Sequence, residues 1–339
     1  MTRQSTDQQP RVGKYAFSDG SLARPILTRW WFTTLFRLTP RWLAANTITL
    51  VSTGVLLSVA ALAISPPASP GVHALVVLAA LQLYVAGDHI DGMQAKATGT
   101  AGPLGDWLDH YCDYWAGAIL ILGYWSLVSR HDERVLFGLC AVLGFGFAIT
   151  FAEREARQAL RFTALGTLEA IVLLSAVLLS WAFAPTRALW QREAIAGFAF
   201  ATIPTAMGAG MGLMAIIEIA RRLGGIPPRV ALVAAEFTGL AWLLPQLTHI
   251  SVFERWLLMP LIGAEYVARV MRGHLVRGAH TRPDPTGVFG VAFLIALWGW
   301  PATQGAVPPA MRLLGAYLFM RLMLILPGVL RSLRVPNAS

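Results

Sequence analysis

From residue 45 onward, long apolar runs alternate with short polar breaks. A run of about 20 apolar residues is what an α-helix needs to cross about 30 Å of hydrocarbon. Runs of that kind fall near 45–65, 72–92, 105–128, 135–153, 164–184, 203–221, 229–247, 254–272, 285–303 and 310–331. The pattern predicts an all-α polytopic membrane protein with about ten transmembrane helices. Residues 189–203 are apolar but too short to span, so they either extend a neighbouring helix or lie at the interface. Residues 18–42 mix Trp, Phe and Leu with four arginines. That mixture suits an amphipathic helix in the headgroup layer, with Ser18 or Asp19 as its cap; the competing reading is a short juxtamembrane linker. The polar opening, MTRQSTDQQPRVGK, has no cleavable signal sequence and reads as an arm. Three regions follow: an arm and interfacial helix over 1–42, a first helical block over 43–200 and a second over 201–339.

Composition agrees with this pattern. The chain has 339 residues, 56% hydrophobic and 13% charged, with mean hydropathy +0.58. A net charge of +9 raises the question of nucleic acid. The basic residues sit at the ends of apolar runs, however, and membrane topology accounts for them without a nucleic-acid partner. With the N-terminus inside, cytoplasmic segments hold about 20 of the 27 Lys and Arg. The same register puts the 93–104 loop at the cytoplasmic face. Cys112 and Cys140 give no disulfide framework and read as small apolar helix residues. Glu169, Glu236, Glu265 and Arg321 fall inside later spans, where ionisable groups face a cavity or a partner. Glu265 and Arg269, four apart, are natural partners, and Glu218 is placed to pair near Arg221 and Arg222.

The stretch DHIDGMQAKATGTAGPLGDWLDHYCD, Asp88 to Asp113, holds five of the chain's 18 acidic residues. Asp88 and Asp91 are three apart, and Asp109 and Asp113 are four apart, so each pair shares a helix face. Four convergent carboxylates repel unless something positive sits between them. Hard divalent cations, Mg²⁺ or Mn²⁺, favour such oxygen ligands. Gly92 and Ala95 adjoin the first pair, and Gly105 precedes Asp109 by four residues. Small residues there leave open volume beside the metals, which suits a diphosphate bridged by two divalent cations. Lys96 can neutralise phosphate as a point charge. The bland alternative, aspartates that only cap helices or line a polar seam, fits isolated positions better than four at these steps.

The pattern Asp88-x2-Asp91-Gly92-x2-Ala95-Lys96-x8-Gly105-x3-Asp109-x3-Asp113 resembles the signature of the CDP-alcohol phosphotransferases. It departs at Lys96, where that family usually has Arg. The run TGTAGPLGDWLDHYCD, with KYAFSDGSLARPILTRWW and ANTITLVSTG upstream, is similar to the choline/ethanolaminephosphotransferase branch. The clear resemblance covers roughly residues 14–115. It implies that 43–200 holds the catalytic helices and that 201–339 completes the bundle. It also implies that Asp88, Asp91, Asp109 and Asp113 hold two divalent cations. Gly92, Ala95 and Gly105, with Lys96, would receive the CDP moiety. The implied reaction is attack by a lipid hydroxyl, such as that of diacylglycerol, on the β-phosphorus of a CDP-alcohol, releasing CMP. The resemblance further implies a homodimer.

Two residues compete as general base. Asp113 matches the aspartate to which the family's base role is assigned. His110 belongs to the residue type most used for proton transfer at neutral pH, and it points about 100° away from Asp109 on a helix. Asp106 is a third candidate. The headgroup stays open between ethanolamine and choline, with inositol or glycerol phosphate as other acceptors in the family. Trp107, Tyr111, Tyr114 and Trp115 offer aromatic surface for a quaternary amine. Arg154, Arg157 and Arg161 offer a basic cluster for a phosphorylated acceptor. Lys96 is one of two lysines against 25 arginines; either it alters the grip on the diphosphate or any cation suffices there. Outside catalysis, intramembrane acids alone also suit a transporter or a silent lipid-binding protein, and neither releases CMP.

Overall fold

A computed structural model of the chain describes residues 16–129, 132–162, 166–195, 198–277 and 284–334. It begins with a short strand, β1 (Ala16–Asp19), followed by α1 (Arg24–Leu27), a π-helical turn (Thr28–Phe32) and α2 (Thr33–Leu38). These three make one short helical segment, 24–38, within the 18–42 expected to form an interfacial helix. Ser18 and Asp19 lie in β1, ahead of the helix; the N-cap position of α1 is Ala23, and the Arg24 amide donates to the Ser21 hydroxyl at 3.1 Å. Trp30, Trp31 and Trp42 are exposed while Phe32 is buried, so the segment presents one aromatic face outward and one inward.

The bundle follows as α3 (Ala45–Ile64), α4 (Pro70–Thr98), α5 (Pro103–Val128), α6 (Glu133–Arg157), α7 (Thr167–Trp181), α8 (Ala184–Trp190), α9 (Thr202–Leu223), α10 (Pro228–Leu243), α11 (Val252–Arg277), α12 (Pro285–Gly299) and α13 (Val307–Arg334). The architecture is all-α and polytopic. Among the described residues, five helical segments are long and apolar enough to cross a membrane: α3, α4, α6, α9 and the run Pro301–Ser332. A sixth arises if α7 and α8, bent by 118° at their junction, count as one span. The expected ten also include α5 and α11, which carry several charges, and α10 and α12, which have 16 and 15 residues. Within 189–203, Leu189 and Trp190 end α8 and Thr202 begins α9, and between them β3 (Glu193–Ile195) and β4 (Phe198–Ala199) pair antiparallel.

Local chemistry sets the helix ends that matter. Ser69 caps α4, with Pro70 in its first turn, and Gly99 at φ 69 closes it in the left-handed conformation that glycine tolerates. Pro103 opens α5 after an extended Gly102. The α4–α5 connection is therefore four residues long and turns the chain straight back. Helix α3 packs against both, and small residues admit it. A Cβ on Gly87 would strike the Ser52 side chain, and one on Gly123 would strike Val59. Cys112 and Cys140 are free and buried.

Buried ion pairs join the helices at one end of the bundle. Three successive residues of α6 each reach a different helix. Glu153 accepts from Arg222 of α9 at 2.6 and 2.8 Å. Arg154 donates to Asp106 of α5 at 2.6 Å. Glu155 pairs with Arg229 of α10 at 2.6 Å. At the other end, Arg255 of α11 grips Glu133 of α6 at 2.5 and 2.8 Å. The Glu218–Arg222 pair expected from sequence is present, at 2.6 Å. Glu169 faces partners within the protein. It accepts from Ser21 Oγ at 2.7 Å and from the amides of Ala23 and Gly166 at 3.0 and 2.8 Å, tying the N-terminal segment to the start of α7. Strand β2 (Ala159–Phe162), directly after α6, pairs parallel with β1 and fixes the same segment a second time.

Candidate active site

The last turns of α4 and the first turns of α5 face each other across the Gly99–Gly102 turn. Asp88, Asp109 and Asp113 each direct a carboxylate oxygen into one spot, all within 4.8 Å of one another. At that separation, and an effective dielectric constant of about 20, two unit charges repel by about 3.5 kcal/mol. Three all-oxygen donors held this close form a set suited to a hard divalent cation. Tyr84, one turn before Asp88, donates to Asp113 Oδ1 at 2.5 Å. His89 Nδ1 lies 3.3 Å from Asp88 and 3.0 Å from the Val85 carbonyl.

Asp91 stands apart from these three at that distance. It is 6% exposed and accepts a hydrogen bond from Thr49 of α3. Gly92 faces open space where a Cβ would meet nothing within 4 Å. A Cβ on Gly105 would lie 3.4 Å from Asn46 Oδ1. Ala95 is half-buried, and Lys96 is exposed in the last turn of α4. Gly92 thus leaves an opening beside the carboxylates, and Gly105 brings α5 close to the Asn46 amide. Tyr84, Thr49 and Asn46 are partners that sequence reasoning did not pick out. Tyr84 carries a readable signal, being four residues from Asp88, whereas Thr49 lies 42 residues from Asp91.

His110 holds its ring by Nδ1, 2.9 Å from the Asp106 carbonyl, with the Asp106 and Asp109 carboxylates at 3.5 and 3.7 Å. Among the described residues Nε2 has no hydrogen-bond partner, and the ring leans on Phe151 at 5.8 Å between centroids. Asp106, the third base candidate, is the counterion of Arg154. Arg154 is 1% exposed, so it does not offer a surface cluster with Arg157 and Arg161. Two of the four aromatics are core residues. Trp107 donates to the Ala268 carbonyl at 3.1 Å and stacks on Tyr111. Tyr114 is buried with its hydroxyl 3.3 Å from the Met259 carbonyl. The inner face of the N-terminal helical segment reaches the site directly: Phe32 stacks on His89 at 3.9 Å. Gln94 of α4 donates to the carbonyls of Pro40 and Leu43 at 3.0 and 2.8 Å.

No profile of a known protein family matches the sequence. Individual curated proteins do. Cholinephosphotransferase 1 of Gallus gallus is 30% identical over 184 residues, covering 52% of this chain and 54% of that protein. Cholinephosphotransferase 1 of Xenopus laevis is 39% identical over 107 residues, 30% of this chain and 26% of that protein. Choline/ethanolaminephosphotransferase 2 of Arabidopsis thaliana is 34% identical over 139 residues, 39% of this chain and 35% of that protein. The chain thus spans about half the length of these relatives at most. A signature built as a carboxylate cluster between two helices, and stretches of 30–39% identity to these proteins, make this chain similar to cholinephosphotransferases and choline/ethanolaminephosphotransferases over part of its length.

Proposed function

We propose that the chain is a metal-dependent membrane enzyme that transfers a phosphoalcohol from a CDP-alcohol to a lipid hydroxyl, releasing CMP. The observation that carries this is the convergence of Asp88, Asp109 and Asp113 beside the opening at Gly92. These three, with Asp91 held by Thr49, would hold two Mg²⁺ or Mn²⁺ ions. Such ions, when bound, offset the charge that gathers on the diphosphate as its bridging bond breaks. Gly92, Ala95 and Gly105 leave room for the nucleotide, and Lys96 supplies a positive charge next to it.

The acceptor oxygen forms a bond to the β-phosphorus, the α–β phosphoanhydride bond breaks, and the bridging oxygen leaves with CMP. The acceptor proton needs a base, because a hydroxyl is a poor nucleophile until it is deprotonated. We assign that role to His110 through Nε2. Its Nδ1 is committed to the Asp106 carbonyl, which leaves the lone pair on Nε2. Asp113 is drawn into the carboxylate cluster and accepts from Tyr84, a better post for a metal ligand than for a base. The assignment predicts a split. His110→Ala lowers CMP release by about 10² to 10⁴-fold while metal affinity persists. Asp113→Asn loses both. If His110→Ala keeps full turnover, the base is Asp113.

The donor is CDP-choline or CDP-ethanolamine and the acceptor diacylglycerol, a reading supported by the names of the relatives. The site faces the cytoplasm by the distribution of Lys and Arg, and the enzyme works as a homodimer. The deciding experiment incubates purified protein with Mg²⁺ or Mn²⁺, diacylglycerol and a panel of CDP-alcohols, and measures CMP and lipid product. No CMP from any donor would sink the enzymatic reading. Thiol labelling of a Thr100→Cys variant in intact cells and in opened membranes tests the orientation, and only opened membranes should label.

A further inference from the structure

A second polar site sits among α10, α11, α12 and α13 and shares no residue with the aspartate cluster. A cavity of about 10 Å³, room for one occupant the size of water, is lined there by Glu236, Glu265, Arg269, Asp284 and Gly287 among others. Two of its carboxylates are already paired. Glu265 accepts from Arg269 at 3.0 and 3.2 Å and from Arg321 of α13 at 2.9 Å. Asp284 pairs with Arg321 at 3.2 Å, and Arg321 also donates to the Tyr317 hydroxyl at 2.9 Å.

Glu236 is the exception. It is 7% exposed, lines the cavity and, among the described residues, accepts no hydrogen bond. Gly287 lets it approach α12: a Cβ at that position would lie 2.8 Å from Glu236 Oε1. Counting formal charges among the described residues, Glu236, Glu265 and Asp284 give three negatives against two positives from Arg269 and Arg321, leaving one negative charge over. A carboxylate without a counter-charge inside a bundle is costly, and intramembrane ionisable groups mark ion sites and proton relays.

We propose that this cavity binds one small alkali cation of sodium's size, with the Glu236 carboxylate as its principal ligand. The residual charge matches a monovalent ion, whereas a divalent one would leave an excess positive charge beside two guanidiniums. The volume admits a largely dehydrated Na⁺ and excludes an organic ammonium headgroup. An anion would face three carboxylates. By bridging Glu236 to the pairs on α11, α12 and α13, the ion ties α10 to the last three helices.

The test is retention of ²²Na⁺ by the purified full chain in detergent, with saturating Mg²⁺ so that the aspartate cluster does not compete. Wild type and Asp88→Asn should retain about one ion per chain, and Glu236→Gln none. Thermal midpoints should rise saturably with NaCl, relative to N-methylglucamine chloride at equal ionic strength, in wild type and not in Glu236→Gln. Absence of saturable ²²Na⁺ binding to wild type overturns the proposal and makes Glu236 a neutral acid. That outcome is decisive even if the variant does not fold. Equal retention by wild type and a folded Glu236→Gln overturns it as well.

Discussion

Asp88, Asp109 and Asp113 work against the fold that holds them. Removing one charge from this group in chelator-treated protein should therefore raise the thermal midpoint, while abolishing the rise that Mg²⁺ gives the wild type. Asp109→Asn is the variant of choice, and melting with and without EDTA checks it; turnover should fall by at least about 10²-fold. The opposite sign is expected at Thr49. Thr49→Val keeps the shape but leaves the buried Asp91 carboxylate without its donor, at a cost of about 1–3 kcal/mol. Denaturant titration in detergent reads that loss. The sequence pointed to four converging aspartates: the spacing of four does put Asp109 and Asp113 together with Asp88, whereas Asp91, three residues after Asp88, turns to Thr49. The Thr49 contact was not legible, since its register depends on how α3 seats against α4. His110 was visible as a candidate, but which ring nitrogen is committed became readable only with the Asp106 carbonyl in place.

Between elements, the packing of α3 and the ion pairs of α6 decide where the two halves of the cluster sit. Gly87→Ala would press a methyl into the Ser52 side chain and push α3 from α4. An overpacked contact of this kind costs about 1–3 kcal/mol. A lowered melting midpoint with weakened Mg²⁺ binding is the expected result. Arg154→Met should be harsher. It takes the guanidinium away from the Asp106 carboxylate, at about 3–5 kcal/mol, and adding Asp106→Asn should recover most of the loss. A double-mutant cycle on melting midpoints checks the coupling. Arg154 illustrates the limit of reading charge from sequence. Beside Arg157 and Arg161 it looked like part of a basic surface, yet its partner lies 48 residues away on another helix. The β1–β2 pair was equally hidden, since four residues at each end of a long sequence separation carry no local signal.

At the scale of the whole molecule, apolar run lengths gave the class, and residual charge kept the count of spans open. Helices α5 and α11, which fall outside those spans, carry Asp109 and Asp113 of the aspartate cluster and the Glu265 network. Chelation should consequently act on the entire bundle: EDTA should end CMP release, and restoring Mg²⁺ at a hundredfold excess over its dissociation constant should return about 2.7 kcal/mol of stability. Glu153, Arg154 and Glu155 add a constraint of another kind. Their signs run minus, plus, minus, and each faces a partner of opposite sign. Were α6 to turn or slide by one residue during insertion, a glutamate would confront Asp106 and the arginine would confront another arginine. Every near-miss alignment is thus penalised more than once, like a key whose adjacent teeth are cut to opposite heights. Only one depth of α6 is tolerated, and α5 is locked to it at the level where its aspartates meet Asp88.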